Sequence, residues 1–170
     1  MVQDRTGSDA DEAITDLYAA HYVRLVRMAT LLQVSEAVAE EVVQDAFVAL
    51  HRRWRRLRDP AAAVAYLRTS VVHGCRSVHR RRGVAARHPE DPPAHAPSAE
   101  QVAVGGAAAD AVVEALRGLP DRQREALVLR YYGGLSESEI AGAMKISNGA
   151  VKSHASRGLA GLRDAMAEWS

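Results

Sequence analysis

With 170 residues and a formal net charge of +1, the chain is long enough for one ordinary domain or two small ones, and its bulk charge does not single out nucleic acid. Its one cysteine, Cys75, excludes an intrachain disulfide and any Cys-rich metal site; helical spacing from Val71 and Val78 marks it as a core thiol. No apolar run is long enough to span a membrane and no signal peptide is present, so a cytoplasmic protein without metal or cofactor is expected.

Residues 1–10 are polar and read as disordered. Ile14, Leu17, Tyr18, His21, Leu25, Met28 and Leu32 then recur at steps of three and four, which predicts a helix from Asp11 to Leu32. His21 falls on the packed face. Ser35 is placed to cap a second helix, with Val38, Val42, Ala46, Ala49, Trp54 and Leu57 on its buried side. Acid gathers in its first half (Glu36, Glu40, Glu41, Asp45). Base gathers in its second, with His51 followed by arginine at 52, 53, 55, 56 and 58. The helix dipole favours that polarity, although it does not call for so dense a cluster.

Pro60 disfavours helical backbone at Asp59 and separates the second helix from a third, expected over Ala62 to Arg82. Leu67, Val71, Cys75 and Val78 would face the core. Thr69, His73, Arg76 and Arg80 form a polar, basic stripe on the other side, extended by Arg81 and Arg82. Such a stripe is either solvated or follows a phosphate backbone.

Periodicity stops over residues 83–107. Pro89, Pro92, Pro93 and Pro97 fall there, and Gly105-Gly106 closes the stretch. This is the composition of a flexible linker, with a root-mean-square span of roughly 25–30 Å. Beyond it, Ala108 to Arg117 reads as a helix ended by Gly118. Leu119-Pro120-Asp121 opens another that runs to Tyr132, and Gly133-Gly134 stops it.

The stretch from Leu135 to Arg163 carries the most information. Ser136 followed by Glu139 is a capping box, and Ile140 and Met144 share one face of the helix it starts. Ile146 to Gly149 suits a turn. Val151, Ala155, Leu159, Leu162 and Met166 then step by 4, 4, 3 and 4, giving one apolar stripe. Lys152, Ser153, Ser156 and Arg157 occupy the outer face, with His154 at its edge. A short helix, a turn and a longer helix with a basic outer face form a helix-turn-helix, whose second helix would enter the major groove. Its N-terminal end, at Asn148 and Gly149, would meet phosphate.

Assembled, these segments resemble a group 4 (extracytoplasmic-function) sigma factor of bacterial RNA polymerase, over residues 12–82 and 108–166. AEEVVQDAFVALHRRW is similar to the acidic-aromatic segment that docks on the polymerase clamp. AVAYLRTSVVHGCRSVHRRR is similar to the segment that melts and reads the −10 promoter element. LPDRQREALVLRYYGGLSESEIAGAMKISNGAVKSHASRGLAGLR is similar to the −35-binding domain.

The resemblance implies an all-α chain of two small domains. A three-helix sigma-2-like domain would span 11–82, and a four-helix sigma-4-like domain would span 108–170, joined by the linker 83–107. It implies polymerase contact through Glu40, Glu41, Gln44, Asp45 and Phe47. It implies −10 contact through Leu57, Tyr66, Thr69, His73, Arg76 and Arg80, and −35 contact through Asn148, Gly149, Lys152, Ser153, His154, Ser156 and Arg157. Core RNA polymerase, promoter DNA and an anti-sigma factor are the implied partners, with no membrane insertion. His73 departs from the family, which usually has Asn in that part of the −10-reading helix; histidine can still stack and donate. Nothing long follows Trp169, so no accessory C-terminal domain is expected.

Two other classes fit less well. VKSHASRGLAGL would suit a LuxR-type regulator, but a receiver domain needs strands and clustered Asp, and residues 12–82 carry three helical periodicities. An enzyme would need a phosphate loop, metal-ligand spacing or a nucleophile with its base, and none is present in the sequence.

Overall fold

A computed structural model describes residues 3–57, 59–87 and 106–168, with side chains described over residues 9–57, 59–84 and 106–168. These residues form helices α1 (Gln3–Leu31), α2 (Glu36–Leu57), α3 (Pro60–Arg87), α4 (Ala107–Gly118), α5 (Asp121–Leu127), α6 (Glu137–Met144) and α7 (Asn148–Ala167), with a π-helical segment Val128–Tyr132 after α5. There is no strand among the described residues, and no helix long and apolar enough to cross a membrane.

Local chemistry sets most of the boundaries. α1 turns back through Gln33, which takes a left-handed φ of 69°, while Val34 is fully buried beside it. The Ser35 hydroxyl then accepts the Val38 N–H at 3.4 Å and starts α2. Asp59 accepts the Ala61 N–H at 3.1 Å, and Pro60 sits in the first turn of α3, where its missing donor costs nothing. Pro120 plays the equivalent part before α5.

The first three helices pack on one another, and α4 to α7 pack around α7. The buried face of α2 is Ala39, Val42, Val43, Ala46, Phe47 and Leu50. That face is wider than the expected stripe and lies partly out of phase with it, because α2 is held between α1 and α3. Val38, Trp54 and Leu57 are only partly buried. Gly74 permits the α2–α3 approach: a Cβ there would lie 2.5 Å from Val42 Cγ1. On α3, Leu67, Val71 and Cys75 are buried as expected, joined by Val72. Burial pushes the Cys75 thiol up to about 12, which leaves it an unreactive packing group.

Three expectations are corrected. α1 starts at Gln3, so residues 3–10 are helical; Met1 and Val2 lie outside the described residues. The linker does not begin at 83, because residues 83–87 continue α3, and α4 starts at Ala107. The proline-rich stretch with Pro89, Pro92, Pro93 and Pro97 lies outside the described residues. Finally, the helix expected to run to Tyr132 changes character at Val128: the Gly133 N–H reaches the Val128 carbonyl at 2.8 Å, five residues back.

Candidate nucleic-acid interface

The helix-turn-helix is built as its sequence dictates. Ser136 Oγ accepts the Glu139 N–H at 3.2 Å, and Glu139 accepts the Ser136 N–H at 2.7 Å. That backbone hydrogen bond holds the Glu139 carboxyl below the usual range. α6 ends at Lys145, whose φ of 53° is left-handed. Ser147 then accepts the Ala150 N–H at 3.1 Å to open α7, so Asn148 and Gly149 form its first turn. Val151, Ala155 and Gly158 are buried against the preceding helices, while Leu159 and Leu162 are partly buried. Gly158 lets α7 lie close on α5, since a Cβ there would come 3.0 Å from Leu127 Cδ1.

Asn148, Gly149, Lys152, Ser156 and Arg157 are exposed on one side of α7; Ser153 and His154 are half-buried. Lys152 Nζ lies 3.5 Å from Glu137 Oε1, which ties it loosely to α6. His154 Nδ1 is buried without a hydrogen-bond partner, so the ring has only part of its edge turned outward.

The α3 stripe is divided. His73 and Arg80 are exposed, whereas Thr69 is half-buried. Tyr66 is half-buried with the Arg53 guanidinium 5.7 Å from its ring centroid, and Leu57 packs against the core. Arg76 does not join the open face, contrary to expectation. Its Nε lies 2.7 Å from Glu125 Oε1, and it also donates to the Ala143 and Met144 carbonyls, each at 2.9 Å. Alongside is a cleft of about 1040 Å³ lined by His73, Arg76, Arg80, Arg122, Glu125 and Lys145.

On α2, Glu40, Glu41, Gln44 and Asp45 share the exposed side, with arginines 52, 53, 55 and 56 further along. Phe47 is not on that side. It is 5% exposed and packs 5.0 Å from the Tyr18 ring, which itself stacks on Tyr22. The phenyl group is therefore corrected from the docking face to the core.

Two residues escaped the sequence reading. Arg124 is buried and donates to the Leu119 carbonyl at 2.9 Å and to Asp121 Oδ1 at 2.6 Å, bracing the turn into α5. The LP-x-x-x-R spacing was its only signal. Glu125 is largely buried. Burial pushes its carboxyl pKa up, partly offset by Arg122, and nothing in DRQRE marks it as different from its neighbours.

Comparison with known proteins gives two family matches: Sigma-70 region 2 over residues 17–84 and Sigma-70, region 4 over residues 109–162. The ECF RNA polymerase sigma factor SigM of Mycobacterium tuberculosis is 33% identical over 151 residues, 88% of this chain and 75% of that protein. The RNA polymerase sigma-E factor of Streptomyces coelicolor is 30% identical over 142 residues, 82% of this chain and 78% of that protein. Among solved structures, RpoE in complex with the anti-sigma factor NepR from Bartonella quintana superposes with a TM-score of 0.69 at 23% identity, covering 89% of this chain and 96% of that one. CnrH in complex with the cytosolic domain of CnrY gives 0.67 at 24% identity, covering 98% and 96%. The structural likenesses establish the fold.

Proposed function

Because the chain belongs to the extracytoplasmic-function sigma factors of the sigma-70 family, which direct RNA polymerase to promoters, we propose a division of labour among its surfaces. The helix-turn-helix reads the −35 duplex, α3 holds the melted −10 strand, and the acidic half of α2 docks on core polymerase. The working bodies are the α1–α3 group and the α4–α7 group, and the protein acts in the cytoplasm with its polymerase. It is an initiation factor rather than a catalyst. A LuxR-type regulator is not favoured, because helices occupy the place of a receiver domain.

The observation that carries the −35 assignment is the exposed row Lys152, Ser156 and Arg157 above the buried Val151, Ala155 and Gly158. Arg157→Ala should weaken binding to a −35 duplex more than Lys152→Ala, because Glu137 already engages the lysine. If Arg157 pairs with a guanine, its loss costs roughly 1–3 kcal/mol and relaxes that base pair alone. Electrophoretic mobility shifts across single-base variants of the site measure this. A footprint untouched by both substitutions would reject the face.

Docking is tested by co-migration with core polymerase and promoter-dependent initiation. Glu41→Arg with Asp45→Arg should lower polymerase affinity with helix content unchanged, since both side chains are exposed and neither supports the core. Undiminished co-migration of that variant would reject docking through the acidic half of α2.

We also propose an anti-sigma partner. RpoE is held by the anti-sigma factor NepR, and CnrH by the cytosolic domain of CnrY. Here a cleft of about 830 Å³, lined by Tyr22, Val26, Val112, Leu116, Leu159 and Leu162, offers apolar surface that a partner would cover.

A further inference from the structure

Arg76 stands on the stripe assigned to the melted strand, yet its guanidinium is engaged elsewhere. Nε and Nη2 face the two carboxylate oxygens of Glu125 at 2.7 and 3.3 Å. Nη1 donates to the Ala143 carbonyl and Nη2 to the Met144 carbonyl, each at 2.9 Å. Those carbonyls close the C-terminal end of α6, where helical carbonyls lack intrahelical partners and the helix dipole places negative charge. Arg122 reinforces the cluster, with Nη1 3.3 Å from the Met144 carbonyl and 3.5 Å from Glu125 Oε2.

The acceptors around Arg76 therefore form a compact set: a bidentate carboxylate and two carbonyls. A DNA phosphate offers a guanidinium the same kind of forked acceptor. The set comes from α5 and α6, some 49 to 68 residues further along the chain. It also joins the first three helices to the helix-turn-helix.

We propose that Glu125 and the end of α6 act as an internal phosphate mimic, which withholds Arg76 from nucleic acid and keeps the two groups of helices closed until a strand displaces it. The inference rests on the strand-binding role proposed for α3. Release of Arg76 and separation of the helix groups are one event. A second contact, from Arg24 Nη2 to the Tyr132 carbonyl at 2.7 Å, breaks with it. Strand binding then bears the cost of opening: a chain roughly nine-tenths closed binds about tenfold more weakly than its open form.

The test uses the full chain and a single-stranded −10-like oligonucleotide. Glu125→Ala and the near-isosteric Glu125→Gln are compared with the parent for helix content, radius of gyration by small-angle scattering, and strand affinity by fluorescence anisotropy. The expected result is a larger radius without DNA and up to about tenfold tighter strand binding. The gain should vanish when Arg76→Ala is added. An unchanged radius in folded variants would overturn the closure. A larger radius without tighter binding would overturn the phosphate mimicry. The strand-binding role of α3 is checked separately with Arg80→Ala, a residue outside the cluster, while the radius reads the closure with no DNA present.

Discussion

Replacing Phe47 with alanine should cost about 3–5 kcal/mol of folding stability. The ring is 5% exposed and lies 5.0 Å from the exposed Tyr18, whose own ring stacks 4.4 Å from Tyr22, so Phe47 is the buried end of an aromatic row running from α2 onto α1. Truncation removes transfer free energy and leaves a cavity that two helices cannot both close. Phe47→Leu keeps most of the volume and should lose far less. Chemical denaturation followed by circular dichroism measures both. Polymerase affinity should fall with Phe47→Ala only in proportion to unfolding, whereas Glu41→Arg with Asp45→Arg should reduce it in a folded chain. A Phe47→Ala protein of unchanged stability that no longer binds polymerase would return the phenyl group to the docking face.

Phe47 also shows where sequence reading succeeds and where it stops. The helix-turn-helix was legible almost residue by residue, because its signals are local. The Ser136–Glu139 box, the turn before Asn148 and the 4, 4, 3, 4 stripe each act within one or two helical turns. The existence of α1, α2 and α3 followed from periodicity in the same way. The phase of α2 did not, because its buried width is set by two neighbouring helices rather than one, which draws in Val43, Phe47 and Leu50. The early start of α1 and the continuation of α3 through residues 83–87 carry no apolar repeat to announce them.

The candidate site divides along the same line. Exposed positions on α7 could be placed from the helical period alone. The fate of Arg76 could not, since its acceptors are assembled from Glu125, Ala143 and Met144 only when the chain is folded. Arg124 was hidden for a related reason. An arginine in a charged run looks solvated until the carbonyl of Leu119 turns toward it.

With core polymerase present, the chain should bind a single-stranded −10-like oligonucleotide better than the same sequence as duplex. α3 presents His73 and Arg80 to solvent, with Arg81 beside them, which combines a flat ring with cations spaced along one helix. Unpaired bases expose faces that an aromatic ring can stack on, at roughly 1–3 kcal/mol per base, and a duplex keeps those faces covered. His73→Ala should therefore reduce preference at one base while the arginines continue to hold the backbone. Arg80→Ala with Arg81→Ala should instead weaken every sequence alike. Losing two phosphate contacts on a single strand should also flatten the salt dependence by about 1.4 in log–log slope, at about 0.7 per contact. Arg76 is left intact in this series, because its engagement with Glu125 would mix the cost of opening with the loss of a contact. Anisotropy with matched single- and double-stranded probes across a salt series reads all three effects. Equal affinity for both probes on polymerase would remove strand melting from α3 and leave promoter recognition to α7.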